Sequence, residues 1–196
     1  MRQELFEMAG HLGIHNIKIA PGLGSDLSHP TEAELTPDLG QMAEAFSQIS
    51  REARERGTGI SLEIMPFSNI RTLDAALEVV KMTDEPNCGL LLDIWHINRG
   101  GISNEHVAKI PGRYISAVEL DDADEEVVGL LWQDTIYRRK LPGEGSFDVP
   151  GFIKAIEATG FAGTWGVEIL SDTLRKLPVR EMAKRTFDAT AAQFKA

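Results

Sequence analysis

The feature that most constrains this chain is the alternation of short apolar runs with longer segments of helical periodicity. Runs of strand length lie at 15–22, 59–66, 88–96, 113–120 and 163–170. Segments with apolar residues at helical spacing lie at 36–56, 72–84, 104–110, 149–160 and 179–195. Strands that alternate with helices favour right-handed crossovers and a parallel sheet. We therefore predict an α/β fold, with residues 1–196 as one domain.

Two features of the predicted connections follow from local sequence. Thr36 is a candidate N-cap for the first long helix, with Pro37 at its first position and Gly57 at its end. Residues 121–148 show no clear periodicity and are too long for an ordinary connection. Long loops of this kind in compact domains are usually functional or partly disordered.

Composition excludes several classes of function. The formal net charge of −10 argues against a nucleic-acid binder, which would need a basic face. No apolar run approaches the ~20 residues of a membrane span. Cys88 is the single cysteine, which is typical of a reducing compartment. Because the N-terminal segment lacks the layout of a signal peptide, we expect a cytoplasmic protein without nucleic-acid or membrane partners.

Each of the four later strand-like runs carries an acidic residue near its carboxyl end, after an apolar stretch. These residues are Glu63, Asp93, Glu119 and Glu168. The carboxyl ends of parallel strands share one edge of the sheet, where ligands bind. Converging carboxylates would repel one another, and a divalent cation resolves that conflict. Oxygen ligands favour Mg²⁺ or Mn²⁺, whereas a nearby imidazole favours Mn²⁺, Co²⁺ or Zn²⁺.

Simpler interpretations apply to each of these residues taken alone. A single acidic residue at a strand end is more often a helix cap or a solvent-facing charge than a ligand. The repetition over four strands favours the metal site. His96, three residues after Asp93, fits either a site residue or a buried structural histidine.

With these strand ends, the chain resembles the xylose-isomerase-like TIM barrels, a sugar isomerase and epimerase family. The resemblance runs from about residue 5 to the C-terminus and is carried by "LEIMPFSN", "LLLDIWH", "RRKLPGEGSFD" and "GFAGTWGVEIL". It implies a metal held by Glu63, Asp93, Glu119 and Glu168. It also implies substrate contacts from His96 and from Arg139, which lies three residues before Pro142.

The chain departs from the family pattern in two ways. Glu119 stands where a His or Gln is usual, which adds negative charge. Either Arg139 or Arg113 compensates, or Glu119 does not ligate, or the site prefers hard ions. The second departure is length, because the complete barrel has eight strands and about 250 residues. The resemblance places the five strands here as strands four to eight, so we expect a partial barrel with open edges that either self-associates as a homo-oligomer or is poorly stable.

The resemblance implies a divalent-metal-dependent isomerase or epimerase of a sugar or sugar phosphate, with Mn²⁺ or Mg²⁺ as first choice and Co²⁺ or Zn²⁺ as alternatives. Glu63 and Glu168 would remove and return a proton beside a carbonyl. One alternative is a metal-dependent dehydratase of a cyclic polyol or of dehydroshikimate type. Another is a non-catalytic, truncated barrel. Glycoside hydrolysis and endonuclease chemistry fit the strand-end pattern less well.

Overall fold

The sheet is parallel throughout, as the alternating pattern predicts. A computed structural model describes residues 2–196 and contains five strands in the order β1-β2-β3-β4-β5. The strands are β1 (Asn16–Ile19), β2 (Gly59–Glu63), β3 (Cys88–Asp93), β4 (Ile115–Leu120) and β5 (Trp165–Val167). Each neighbouring pair runs in the same direction. The carboxyl ends of all five strands therefore lie along one edge.

Helices connect and flank the strands. They are α1 (Arg2–Leu12), α2 (Glu32–Leu35), α3 (Leu39–Arg54), α4 (Leu73–Thr83), α5 (Ile94–Arg99), α6 (Asn104–Val107), α7 (Leu131–Tyr137), α8 (Val149–Ala158) and α9 (Val179–Gln193). Among the described residues, none of these helices is both long and apolar enough to cross a bilayer.

Two local predictions about the helices were wrong. The long helix begins after Asp38, whose carboxylate accepts the Gln41 N–H at 3.0 Å, and not after Thr36. Thr36 instead ends the short helix α2, which Thr31 caps together with Glu34. The segment 121–148 is not irregular throughout, because it contains the seven-residue helix α7. Helices this short carry too few apolar positions for a clear periodicity.

Strand β3 stops at Asp93 for a local reason. The Asp93 carboxylate accepts the backbone N–H of Trp95 at 2.8 Å and thereby caps helix α5. A side chain that caps a helix satisfies one of the otherwise unpaired N–H groups of the first turn. The simpler interpretation of a strand-end acid as a helix cap thus applies to one carboxylate oxygen of Asp93, and the other oxygen takes no part in the cap.

The two sides of the sheet differ in polarity because successive side chains alternate between them. One side is apolar and packs against the helices to form the core. Its strand residues are Ile60, Leu62, Leu90, Leu92, Val118 and Leu120, and helices α3, α4 and α8 contribute Phe46, Val80 and Phe152. Burial of such side chains stabilises the fold by about 1.5–3 kcal/mol each.

The other side of the sheet is polar and has two levels. At the lower level, the Ser61 hydroxyl donates to Asn16 Oδ1 at 2.6 Å and lies 2.7 Å from the Ser116 hydroxyl. Two residues further along β1 and β2 come Lys18 and Glu63, on the same side. On this side of the sheet, the side chains therefore change from neutral and hydrogen-bonded to charged toward the carboxyl edge.

Strands β1 and β5 form the two edges of this sheet among residues 2–196. Beside β5, the side chains of Val167, Phe187 and Phe194 are exposed to solvent. Exposed edges and apolar patches favour association with another chain. Homo-oligomerisation nevertheless stays a prediction.

Candidate metal centre

Four carboxylates converge at the carboxyl edge of the sheet, as the strand ends predict. One oxygen from each of Glu63, Asp93, Glu119 and Glu168 lies within 4.8 Å of the others. Glu63 and Asp93 are the last residues of β2 and β3, and Asp93 pairs in register with Glu119. Glu168 follows β5 directly. The parallel register thus places acids that are far apart in the chain side by side at the carboxyl edge of the sheet.

One half of this cluster is buried and centred on Arg139. The guanidinium donates to Asp93 Oδ2 at 2.7 Å, to Asp121 and to the backbone carbonyl of Glu168 at 3.0 Å. The Thr135 hydroxyl on α7 accepts a further bond from Arg139 at 2.7 Å. The Arg139 side chain is only 1% exposed. Such a charge is tolerated in the interior only because it is paired and fully hydrogen-bonded.

The two buried aspartates have opposite pKa shifts. Burial alone would raise the pKa of Asp93, but the charge of Arg139 and the hydrogen bonds from Arg139 and the Trp95 N–H outweigh it and lower that pKa. Burial and the nearby charge of Asp93 raise the pKa of Asp121 well above its usual value. Asp93 is therefore the ionised member and the one able to act as a ligand.

The other half of the cluster is more open and is centred on Lys18. The Lys18 ammonium donates to Glu119 Oε2 at 2.8 Å and to Glu168 Oε1 at 2.5 Å, and it lies 3.5 Å from Glu63 Oε1. Burial would lower the pKa of Lys18, but the Glu63 charge and the two hydrogen-bonded carboxylates raise it. Lys18 therefore stays protonated and carries a positive charge.

Glu63 is the least satisfied carboxylate of the group. Its side chain is 3% exposed, and its Oε1 atom makes no hydrogen bond within the described part of the chain. Burial and the charge of Asp93 raise the pKa of Glu63 to about 8. Buried polar atoms in native proteins normally have a partner. An unbonded oxygen among four converging carboxylates, all hard oxygen donors, fits a divalent cation.

His96 lies on α5 and faces the same cluster. Its Nε2 atom is 3.5 Å from Glu63 Oε1, and its Nδ1 atom has no hydrogen-bond partner among residues 2–196. The ring packs edge-on against Trp95 and Phe67, with centroids 5.0 and 5.9 Å away. Burial lowers the pKa of His96 to about 4, so the imidazole is neutral near pH 7. A neutral imidazole can ligate a metal or exchange a hydrogen bond with a substrate hydroxyl.

The structure brings together all six residues that the sequence nominated, although it does not test their roles. Arg139 compensates charge in the cluster. Arg113, the other candidate, lies in the 3₁₀ turn before β4, where its guanidinium stacks 4.5 Å from the Tyr114 ring centre. Sequence reasoning missed Lys18 and Asp121. Lys18 could have been found from the sequence, because it lies two residues after Asn16 and therefore on the same, polar side of β1.

Comparison with known proteins agrees with this geometry. The family model for the xylose isomerase-like TIM barrel matches residues 3–192. A 3-dehydroshikimate dehydratase of Pseudomonas aeruginosa is 30% identical over 181 residues, which are 91% of this chain and 27% of that protein. An inosose isomerase of Bacillus velezensis is 27% identical over 152 residues, which are 76% of this chain and 53% of that protein. The chain thus spans about half, or less, of these curated relatives.

A solved structure shows the same fold. The crystal structure of the IolI protein with a bound zinc atom superimposes with a TM-score of 0.83 at 24% sequence identity. The match covers 100% of this chain and 69% of that one. The family match explains the five parallel strands, the alternating helices and the acids at the strand ends. The chain belongs to the xylose isomerase-like TIM barrel family.

Proposed function

We propose that this site binds a divalent cation and that the chain carries the active centre of an isomerase or epimerase of a sugar, sugar phosphate or related hydroxyketone. The observation that supports this most is the convergence of four carboxylates within 4.8 Å, with Glu63 Oε1 left unbonded. Hard oxygen donors favour Mn²⁺ or Mg²⁺, and the neutral imidazole of His96 leaves Zn²⁺ or Co²⁺ as alternatives.

A bound divalent cation would polarise the substrate carbonyl as a Lewis acid and so acidify the neighbouring C–H group. The proton itself passes to protein carboxylates. Glu168 is the better candidate for the first transfer, because its side chain is 27% exposed whereas that of Glu63 is 3% exposed. Glu168 Oε would accept the proton, and Glu63, on β2, would return one from its own position in the cluster.

Two further residues would position the reacting groups. Arg139 Nη2 lies 3.3 Å from Glu168 Oε2, so the guanidinium orients the proposed base while it holds Asp93. Neutral His96 would hydrogen-bond a substrate hydroxyl through Nδ1 or Nε2. The substrate contact predicted for Arg139 stays a prediction, because its donors already bind protein groups.

A dehydratase is the second candidate. The 3-dehydroshikimate dehydratase has a higher identity to this chain than the inosose isomerase described above, and its match covers more of this chain. Inosose and 3-dehydroshikimate are both cyclic hydroxyketones. Loss of water from such a compound can begin with the same proton removal beside the carbonyl. The carboxylates therefore serve either reaction, and the fate of the neighbouring hydroxyl group distinguishes them.

Deuterium uptake from D₂O tests the proposal. The chain is incubated with inosose or 3-dehydroshikimate, with MnCl₂ or with EDTA, and the products are analysed by mass spectrometry. We expect manganese-dependent uptake at the carbon beside the carbonyl. An isomerase gains deuterium without losing water, whereas a dehydratase gives a product lighter by one water molecule.

Glu168→Gln keeps the shape of the side chain and removes the base. We expect at least a ~100-fold slower uptake, the usual range for loss of a general base. Glu157→Gln, at an exposed position on α8, is the matched control and should behave like the unchanged chain. Undiminished uptake by Glu168→Gln would remove Glu168 from this role. If the unchanged chain neither takes up deuterium nor binds Mn²⁺, the result favours a non-catalytic barrel.

We also propose that the chain forms homo-oligomers through the open edges of its sheet. Strands β1 and β5 each pair on one side only within residues 2–196. Light scattering of the purified chain checks this, and a monodisperse monomer would contradict it.

A further inference from the structure

Lys18 has no part in the function proposed above, yet it occupies the middle of the carboxylate cluster. Its ammonium lies 2.5 Å from Glu168 Oε1, 2.8 Å from Glu119 Oε2 and 3.5 Å from Glu63 Oε1. These three residues belong to the four whose oxygens converge within 4.8 Å. The ammonium therefore lies against three of the four carboxylates that a divalent cation would use.

The fourth carboxylate shows why Lys18 takes these three partners. Asp93 is bound by Arg139 at 2.7 Å and by the Trp95 N–H at 2.8 Å. Arg139 is 1% exposed and enclosed by protein groups, so its charge has no route out of the cluster. The remaining negative charge, on Glu119 and Glu168, faces Lys18, and Glu63 Oε1 lies 3.5 Å from the same ammonium.

Lys18, in contrast to Arg139, can leave. It lies on the edge strand β1, and its side chain is 30% exposed. A lysine ammonium is a compact charge on a flexible four-carbon stem, so it can turn toward solvent without backbone movement. An ammonium and a divalent cation a few ångströms apart would repel strongly at the low dielectric of a half-buried site.

We propose that Lys18 is an internal counter-cation. It occupies the carboxylate cluster when no divalent cation is bound, and a divalent cation must displace it in order to bind. Lys18 is thus a positioning residue that sets the metal affinity of the site and stabilises the metal-free cluster. The inference rests on the metal site of the proposed function but does not depend on the reaction.

The test compares Lys18→Met with Lys154→Met. Methionine keeps a similar length of side chain and removes the charge, and Lys154 is an exposed lysine on α8 whose loss changes the net charge equally. Titration calorimetry with MnCl₂ alone should show at least tenfold tighter binding for Lys18→Met. Lys154→Met should bind Mn²⁺ as the unchanged chain does.

Thermal unfolding supplies a second readout that separates competition from a purely structural role. In EDTA, Lys18→Met should unfold several degrees below the unchanged chain, because Glu119 and Glu168 have lost their hydrogen-bonded counter-ion. Saturating MnCl₂ should remove most of that difference. Lys18→Arg, which retains the charge, should remain close to the unchanged chain in EDTA and should not bind Mn²⁺ more tightly.

A measurement on the unchanged chain keeps the inference testable if Lys18→Met does not fold. The ¹³Cε resonance of Lys18, assigned by its absence from Lys18→Arg, should shift when diamagnetic MgCl₂ or ZnCl₂ saturates the site. The resonance of Lys154 should not shift. A Lys18 resonance that stays unchanged at saturation overturns the inference.

The outcomes for the two proposals are distinguishable. Equal or weaker Mn²⁺ binding by Lys18→Met overturns the inference about Lys18, while manganese-dependent deuterium uptake by the unchanged chain still supports the proposed function. Tighter binding by Lys18→Met, with no deuterium uptake by either chain, supports the inference and contradicts the proposed reaction.

Discussion

The two halves of the carboxylate cluster contain similar charges in different surroundings. In the buried half, the side chains of Asp93 and Arg139 are 0% and 1% exposed. In the open half, Lys18, Glu119 and Glu168 are 30%, 19% and 27% exposed. Removing one partner of a buried ion pair leaves an uncompensated charge, whereas water screens a half-exposed pair. The buried half is therefore suited to hold the fold, and the open half to exchange its counter-ion.

Arg139→Met should have the largest effect on stability. It leaves Asp93 and Asp121 buried without their guanidinium, and we expect the free energy of unfolding to fall by about 3–5 kcal/mol. Urea unfolding followed by circular dichroism measures this. Arg138→Met, at the neighbouring exposed position, should cost about 1 kcal/mol or less. If the two variants lose similar free energies of unfolding, the buried half of the cluster does not hold the fold as we expect.

Metal binding should stabilise the chain through the open half. With MnCl₂ at 100 times its dissociation constant, linkage predicts an increase of about 2.7 kcal/mol in the free energy of unfolding. Thermal unfolding with MnCl₂ and then with excess EDTA measures the increase and its reversal. Glu63→Gln removes a carboxylate of the cluster and should show a much smaller increase. An equal increase in that variant would place the ion elsewhere.

Glu119→Gln tests the open half without metal. In the unchanged chain Lys18 also lies 2.5 Å from Glu168 Oε1 and 3.5 Å from Glu63 Oε1, so we expect it to retain partners when Glu119 is neutral. We expect the free energy of unfolding in EDTA to change by about 1 kcal/mol or less, as for other partly exposed ion pairs. Urea unfolding of both chains gives the value. A loss as large as that of Arg139→Met would show that the open half is not exchangeable.

Glu34 provides the smallest effect and a reference outside the cluster. It accepts backbone hydrogen bonds from Thr31 and Ser25, which lower its pKa to about 2. A carboxyl group with a lowered folded-state pKa stabilises the fold above its unfolded value of 4.5 and loses that contribution as the pH falls toward 2. The unfolding temperature of Glu34→Gln should therefore differ from that of the unchanged chain at pH 7 and approach it near pH 3. A difference that grows on acidification would contradict this.

Much of the fold and part of the site follow from the sequence. In "ISLE" and "LLLD" the acid follows a short apolar run and so stands at the strand end, and the alternation with helices makes the strands parallel. Parallel strands share a carboxyl edge, so Glu63, Asp93 and Glu119 had to lie near one another. These are consequences of local geometry, which short stretches of sequence specify.

Only the tertiary structure decided how these charges are compensated. Lys18 reaches Glu119 and Glu168 across 101 and 150 residues of chain, and Arg139 reaches Asp93 across 46. Neither pairing has a period or a local motif. Which cation faces which carboxylate depends on the curvature of the sheet and on the placement of α7, and these result from packing of the whole chain. The sequence alone determined where the acids stand, and the packed structure determined that one counter-charge is buried and the other is free to leave.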